Sequence, residues 1–177
     1  MLGLIFTTLV DMVEEKFSLE LADEILTEAN FPHGGAYTAV GYYDFDEIVT
    51  MVTLLSEKTG IPPEELIRAF GTYLFEGFTE THAHLLDGKQ SLFSVLTSLD
   101  NDIHQQVLKL YNEASLPSFR VLDQQEHVLT LEYTSERHLE PLAVGLIEGA
   151  AKFFGHDNLD IRQEKISDNT TIFTVTI

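Results

Sequence analysis

Leu2, Ile5, Leu9, Met12, Val13 and Phe17 recur at steps of three and four residues, which predicts an amphipathic helix with one apolar stripe at the start of the chain. Ser18 offers an N-cap to a second helix carrying Leu19, Ala22, Ile25, Leu26 and Ala29 and ending near Asn30, so the two form a helical hairpin. Pro32, Gly34, Gly35 and Gly41 mark residues 31 to 42 as a loop. Asp44, with Glu47 three residues on, has the spacing of a capping signal, and Phe45, Ile48, Met51, Val52 and Leu55 carry a third helix to Gly60. Asp44-Phe45-Asp46-Glu47 lacks the glycine and later ligands of a calcium loop, so the acidic cluster reads as a helix start.

Pro62-Pro63 opens a fourth helix through Leu66, Ile67, Phe70, Leu74, Phe75 and Phe78. Gly71 interrupts it at a cost of about 1 kcal/mol relative to Ala, which predicts close approach by another helix or by a flat ligand. From Ser91, the residues Leu92, Val95, Leu96, Leu99, Ile103, Val107 and Leu110 predict one long helix with a buried stripe and His104 on its flank. Beyond Leu116-Pro117-Ser118 the period becomes two. Residues 118–122 and 127–133 read as a hairpin around Asp123 to Glu126, and Phe173, Val175 and Ile177 share one face of a last strand. Between them Pro141 starts a helix through Phe154, rich in small residues. The expectation is an α+β fold, with an antiparallel sheet of about four strands packed on helices.

Composition narrows the chemistry. The 177 residues suffice for one well-buried core or for two subdomains around a shared site. The absence of cysteine excludes disulfides, thiolate metal sites and thiol redox switching. With 29 acidic against 10 basic residues the formal charge is −19, and no basic stripe is present, so nucleic acid and anionic membranes are not expected partners. The first ten residues are apolar but too short to span a bilayer and lack signal-peptide flanks, which points to a cytoplasmic protein without membrane insertion. His82 and His84 would lie about 200° apart on a helix and have no further suitably spaced ligand, so they are not read as a metal pair.

Tyr133-Thr134-Ser135-Glu136-Arg137 closes the second strand of the hairpin. Strand alternation would turn Tyr133, Ser135 and Arg137 to one face, presenting a phenol, a hydroxyl and a guanidinium that suit an anionic ligand. Such a row is more often a solvated face, and a lone helical histidine is more often packed than ligating. Taken together, an imidazole from His104, apolar helices and three donors for carboxylates match the needs of haem: an axial base, an apolar slot and partners for the propionates.

On these residues the whole chain, from Met1-Leu2-Gly3-Leu4-Ile5 to the final strands, resembles the haem nitric oxide/oxygen binding (H-NOX) domains. They are related to the sensor domain of soluble guanylate cyclase. The family's Tyr-x-Ser-x-Arg signature stands at Tyr133, Ser135 and Arg137, and its proximal histidine at His104 in Asp102-Ile103-His104-Gln105. The resemblance implies a single domain holding haem b between a distal helical subdomain (about 1–60) and a proximal subdomain (about 61–177). It implies that His104 ligates the iron, that Ile5 and Pro117 press on the porphyrin, and that Gly71 lies on the proximal helical side. Leu9, Leu74 and Leu142 would line the distal side. Oxygen-binding members resemble one another in a distal tyrosine at the position of Leu142, and its absence implies a sensor of NO, also binding CO, that excludes oxygen. NO would break the bond to His104 and shift one subdomain against the other. The expected partner is a separate protein, a histidine kinase or a cyclic-di-GMP enzyme. The rival readings are a haem enzyme (peroxidase or NO dioxygenase), which would need polar distal groups, a haem carrier, which would release its haem readily, and a haem-free interaction module. The expectation is a sensor and not an enzyme.

Overall fold

The computed structural model describes residues Met1–Ile177. Four helices come first: α1 (Gly3–Lys16), α2 (Leu19–Ala29), α3 (Phe45–Thr59) and α4 (Pro63–Thr81). Ser18 caps α2, its Oγ accepting from the Leu21 N–H at 3.1 Å. The capping signal at α3 does not operate: the Asp44 side chain makes no cap bond. Glu47 instead faces the preceding loop, 2.8 Å from His33 Nε2 and accepting from the Tyr37 hydroxyl at 2.7 Å. That loop, which has no assigned role in the sequence, is thereby fastened over α1, where Phe6 stacks on Tyr37 with ring centroids 4.7 Å apart.

The sheet has the order β1-β2-β4-β3, all antiparallel: β1 (Ser118–Gln124), β2 (Val128–Thr134), β3 (Asp160–Lys165) and β4 (Thr170–Thr176). Alternation along β2 and β4 buries Leu129, Leu131 and Tyr133 opposite Val175, Phe173 and Thr171. Between β2 and β3, α7 (Glu140–Phe153) covers this inner face. Complete burial of a side chain such as Leu131 or Phe173 contributes roughly 1.5–3 kcal/mol.

Buried apolar residues form two clusters. Phe6, Leu9, Met12, Ile25, Ile48, Met51 and Leu55 of α1 to α3 belong to the first, and the sheet, α5 (Leu92–Leu96) and α7 to the second. Helix α4 serves both, giving Leu66, Phe70 and Leu74 to the first and Phe75 to the second. A division at residue 60 thus falls ahead of a helix that belongs to both clusters.

The long helix expected from Ser91 breaks. After α5 comes a π-helical turn over Leu99–Ile103 and then α6 (His104–Leu110). The expected buried stripe ends with α5: no residue of the π-turn or of α6 is buried, and Leu110 is 57% exposed. Leu99, Ile103, Val107 and Leu110 line a cavity instead, and of the four Leu99 also packs against the second cluster described above.

Candidate functional site

A cavity of about 260 Å³ lies between the two clusters, with most of its wall apolar. The N-terminal turn of α1 contributes Leu4 and Ile5, α4 contributes Leu74, Phe75 and Phe78, and α7 contributes Leu142 and Leu146. The rest comes from the π-turn, α6, the loop carrying Pro117, β1 through Phe119, and Tyr133, Ser135 and Arg137.

His104 is 15% exposed at its side chain and lines this cavity. Its Nδ1 lies 3.1 Å from Oδ1 of Asp100, which leaves Nε2 as the ring atom not engaged by the protein. Burial holds its pKa below the ordinary value, outweighing the upward pull of Asp100, so the imidazole is neutral and its free lone pair is fit to bind a metal. Asp100 is in turn fixed by β1, accepting from the Phe119 N–H at 2.9 Å and from the Ser118 hydroxyl at 2.8 Å. A further latch joins the turn after α4 to this segment: Lys89 pairs with Asp102, which also accepts from Gln106 Nε2 at 2.7 Å.

The three signature residues all reach the cavity, but not by strand alternation. Strand β2 stops at Thr134. Beyond it Ser135 Oγ accepts from the Arg137 N–H at 3.2 Å, a local turn, and His138 adopts a left-handed φ of 51°. Tyr133 is buried on the inner face, and burial pushes its phenol pKa up. Arg137 donates from Nη1 to the Ser115 carbonyl at 2.7 Å. Ion pairs engage Lys16, Lys58, Arg68, Lys89, Arg120, Lys152 and Arg162. Of the other cations, Lys109, Lys165 and Arg137, Arg137 alone lines the cavity. In a chain of charge −19, a guanidinium without a carboxylate at the edge of an apolar cavity is suited by its chemistry to an anion.

Of the other expected residues, Ile5, Leu74, Pro117 and Leu142 line the cavity. Leu9 does not. It is buried in the first cluster, because α1 leaves the cavity within its first turn and Leu9 lies one turn further on, beside Val13, Ala22 and Met51. Gly71 is not in the wall either; it meets α7, and its close approach is helix packing. The sequence reading assigned no role to Asp100, Lys89, Phe119, Ser115 or His82. Asp100 had a legible signal, its spacing of four residues before His104 on a helix. The other four are brought in by tertiary contacts. His82, between Phe78 and Leu85 in the wall, is a second cavity imidazole; burial and the neighbouring His84 lower its pKa.

A neutral imidazole with one bare nitrogen, an apolar cavity and an unpaired guanidinium fit haem, with His104 as the residue to hold its iron and Tyr133, Ser135 and Arg137 to meet its carboxylates. The Haem-NO-binding family pattern matches residues 2–163. The crystal structure of the Fe(II) unliganded H-NOX protein from K. algicida is similar at 31% identity with a TM-score of 0.92, covering 99% of this chain and 96% of that one. The H-NOX protein from Shewanella woodyi, in its Fe(II)CO state, is 34% identical with a TM-score of 0.85, covering 99% and 94%. The soluble guanylate cyclase gcy-35 of Caenorhabditis elegans is 29% identical over 157 residues; these are 86% of this chain but only 23% of that protein.

Proposed function

The chain belongs to the haem-NO-binding (H-NOX) family, whose domains are gas sensors, and on that premise we propose that it senses nitric oxide through release of His104. When bound, haem b supplies a ferrous iron able to take a diatomic gas. The residues of the chain do the rest. His104 would hold the iron from α6, Arg137, Ser135 and Tyr133 would orient the propionates, and Ile5 and Pro117 would bear on the ring. Ile5, Leu74, Phe78, Leu142 and Leu146 of α1, α4 and α7 offer no hydrogen-bond donor to a bound gas. Bound dioxygen takes on negative charge and needs such a donor, whereas NO and CO need it far less, so a gas held against these five side chains is NO or CO in preference to oxygen.

The observation that carries the reading is that α6 has no buried residue, although it bears His104. A helix fastened by its ligand, by Asp100 and by the Lys89–Asp102 pair is free to move once the ligand bond is lost. Its displacement would shift the α1–α3 helices against the sheet and change contacts with a separate partner, a histidine kinase or a cyclic-di-GMP enzyme, in the cytoplasm. No helix is long and apolar enough to cross a membrane.

The test is a His104→Gly variant loaded with haem in the presence of free imidazole, which separates the iron ligand from the helix. Hydrogen exchange over residues 104 to 110 should rise on NO addition in the unaltered protein and stay constant in the variant. An equal rise in both would overturn the release mechanism.

A further inference from the structure

We propose that Asp100 is the positioning residue that sets how strongly His104 binds iron, and that Ser118 restrains it. The proposal rests on the haem reading above. Three donors converge on this one carboxylate: His104 Nδ1 at 3.1 Å and the Phe119 N–H at 2.9 Å on Oδ1, and the Ser118 hydroxyl at 2.8 Å on Oδ2. The π-helical turn over Leu99–Ile103 carries Asp100 and ends immediately before His104. Such turns insert one residue into a helix and so re-aim its side chains; here the side chain of Asp100 reaches both the ligand ring and the first residues of β1.

A carboxylate on Nδ1–H does two things. It fixes the tautomer, leaving Nε2 bare, and it draws the Nδ1 proton, which raises electron density at Nε2 and strengthens its bond to iron. The strength of that pull depends on how much negative charge the carboxylate has left after serving its other donors. The two bonds from β1 compete with His104 for the charge of the same carboxylate and so hold the pull on His104 at a moderate level. A ligand bond of moderate strength is one that can hold α6 at rest and still break when NO binds on the other face. The carboxylate also ties the ligand ring to the sheet, so the resting position of His104 is referred to β1 as well as to its own short helix.

The consequence is a pair of shifts opposite in sign. Asp100→Asn replaces a charged acceptor with a neutral one, so the pull weakens. Ser118→Ala removes the competing hydroxyl from Oδ2, so the pull strengthens. The iron–histidine stretching band of the anaerobic ferrous protein, read by resonance Raman, should move to lower wavenumber in Asp100→Asn and to higher wavenumber in Ser118→Ala. In NO-saturated samples the six-coordinate fraction should fall or stay minimal in the first and rise in the second. Haem retention should drop about 10- to 100-fold in Asp100→Asn, the usual cost of losing a partner behind a metal ligand.

A purely structural role for Asp100 would loosen the site in both variants and shift both bands the same way. Shifts of the same sign, or no shift in either, would overturn the proposal. If Asp100→Asn does not fold, Ser118→Ala decides alone, since an upward shift supports the proposal and an unchanged or lowered band removes it. If the unaltered protein shows no iron–histidine band at all, the haem reading fails and this proposal with it; a normal band in the unaltered protein and unmoved bands in the variants reject Asp100 alone.

Discussion

Gly71 of α4 and Gly145 of α7 face each other backbone to backbone. A Cβ on Gly71 would sit 2.5 Å from the Leu142 carbonyl oxygen and 2.9 Å from the Cα of Gly145. One on Gly145 would sit 2.0 Å from the Arg68 carbonyl oxygen. Neither obstacle is a flexible side-chain end, so the helices must separate to admit a methyl group. Around this crossing Thr72 donates to the Gly145 carbonyl at 3.2 Å, and Arg68 pairs in a fork with Glu148, with Nε at 2.8 Å from Oε2. The crossing sets the spacing of Leu74 and Leu142 in the cavity wall.

Gly145→Ala should therefore destabilise the protein by about 3 kcal/mol, the upper part of the usual range for overpacking, and Gly71→Ala by less. The gain in helix propensity from Ala, about 1 kcal/mol, offsets only part of the clash. The urea midpoint measures both. An unchanged midpoint in Gly145→Ala would mean that the helices part without cost.

Arg137→Ala should release haem faster to apo-globin. Losing a hydrogen bond to a charged group costs about 1.5–3 kcal/mol, or roughly 10- to 100-fold in retention. Arg137→Lys should recover only part, since an ammonium lacks the two-pronged geometry of the guanidinium. Equal retention in all three proteins would remove Arg137 from the propionate site.

Leu142→Tyr adds a phenol to the part of the wall that offers no donor. A stable absorption spectrum of the oxygen complex should then appear when the reduced protein meets air. Rapid oxidation without such a complex would count against the account of oxygen exclusion.

His82 gives a pH dependence with a definite sign. Burial, followed by His84, lowers its folded pKa below the ordinary 6.5, so the unfolded chain takes up the proton first. Its contribution to stability is complete above that value and is lost as pH falls through the folded pKa. Urea midpoints taken from about pH 8 down to about pH 5 should fall less steeply in His82→Gln than in the unaltered protein. Identical slopes would show that His82 titrates alike in both states.

Most of the helices and the strands β1, β2 and β4 were legible because their apolar periods are sustained, as in β4, whereas β3 (Asp160–Lys165) has no such period to read. The sequence also carried the candidate site's chemistry, since His104, Tyr133 and Arg137, expected there from the sequence, all line the cavity. What stayed hidden is tertiary. The stripe from Leu99 to Leu110 has the period of a buried helix, and nothing in that period tells a core from a cavity. Leu9 and Ile5 share a helix face, yet only the first turn of α1 meets the cavity. Glu47 looked like a cap at Asp44 because no local pattern announces that His33 and Tyr37 will fold back onto it. Asp100 was in view at the right spacing, but its bonds to Ser118 and Phe119 cross 18 and 19 residues and needed the sheet in place.

The most direct test of the sensing account is an anaerobic absorption spectrum of the reduced, haem-loaded protein before and after NO, with one portion exposed to air. The account predicts a five-coordinate ferrous spectrum that becomes five-coordinate nitrosyl as His104 lets go, and no stable oxygen complex. A protein that retains no haem, or a nitrosyl spectrum that stays six-coordinate, would contradict it.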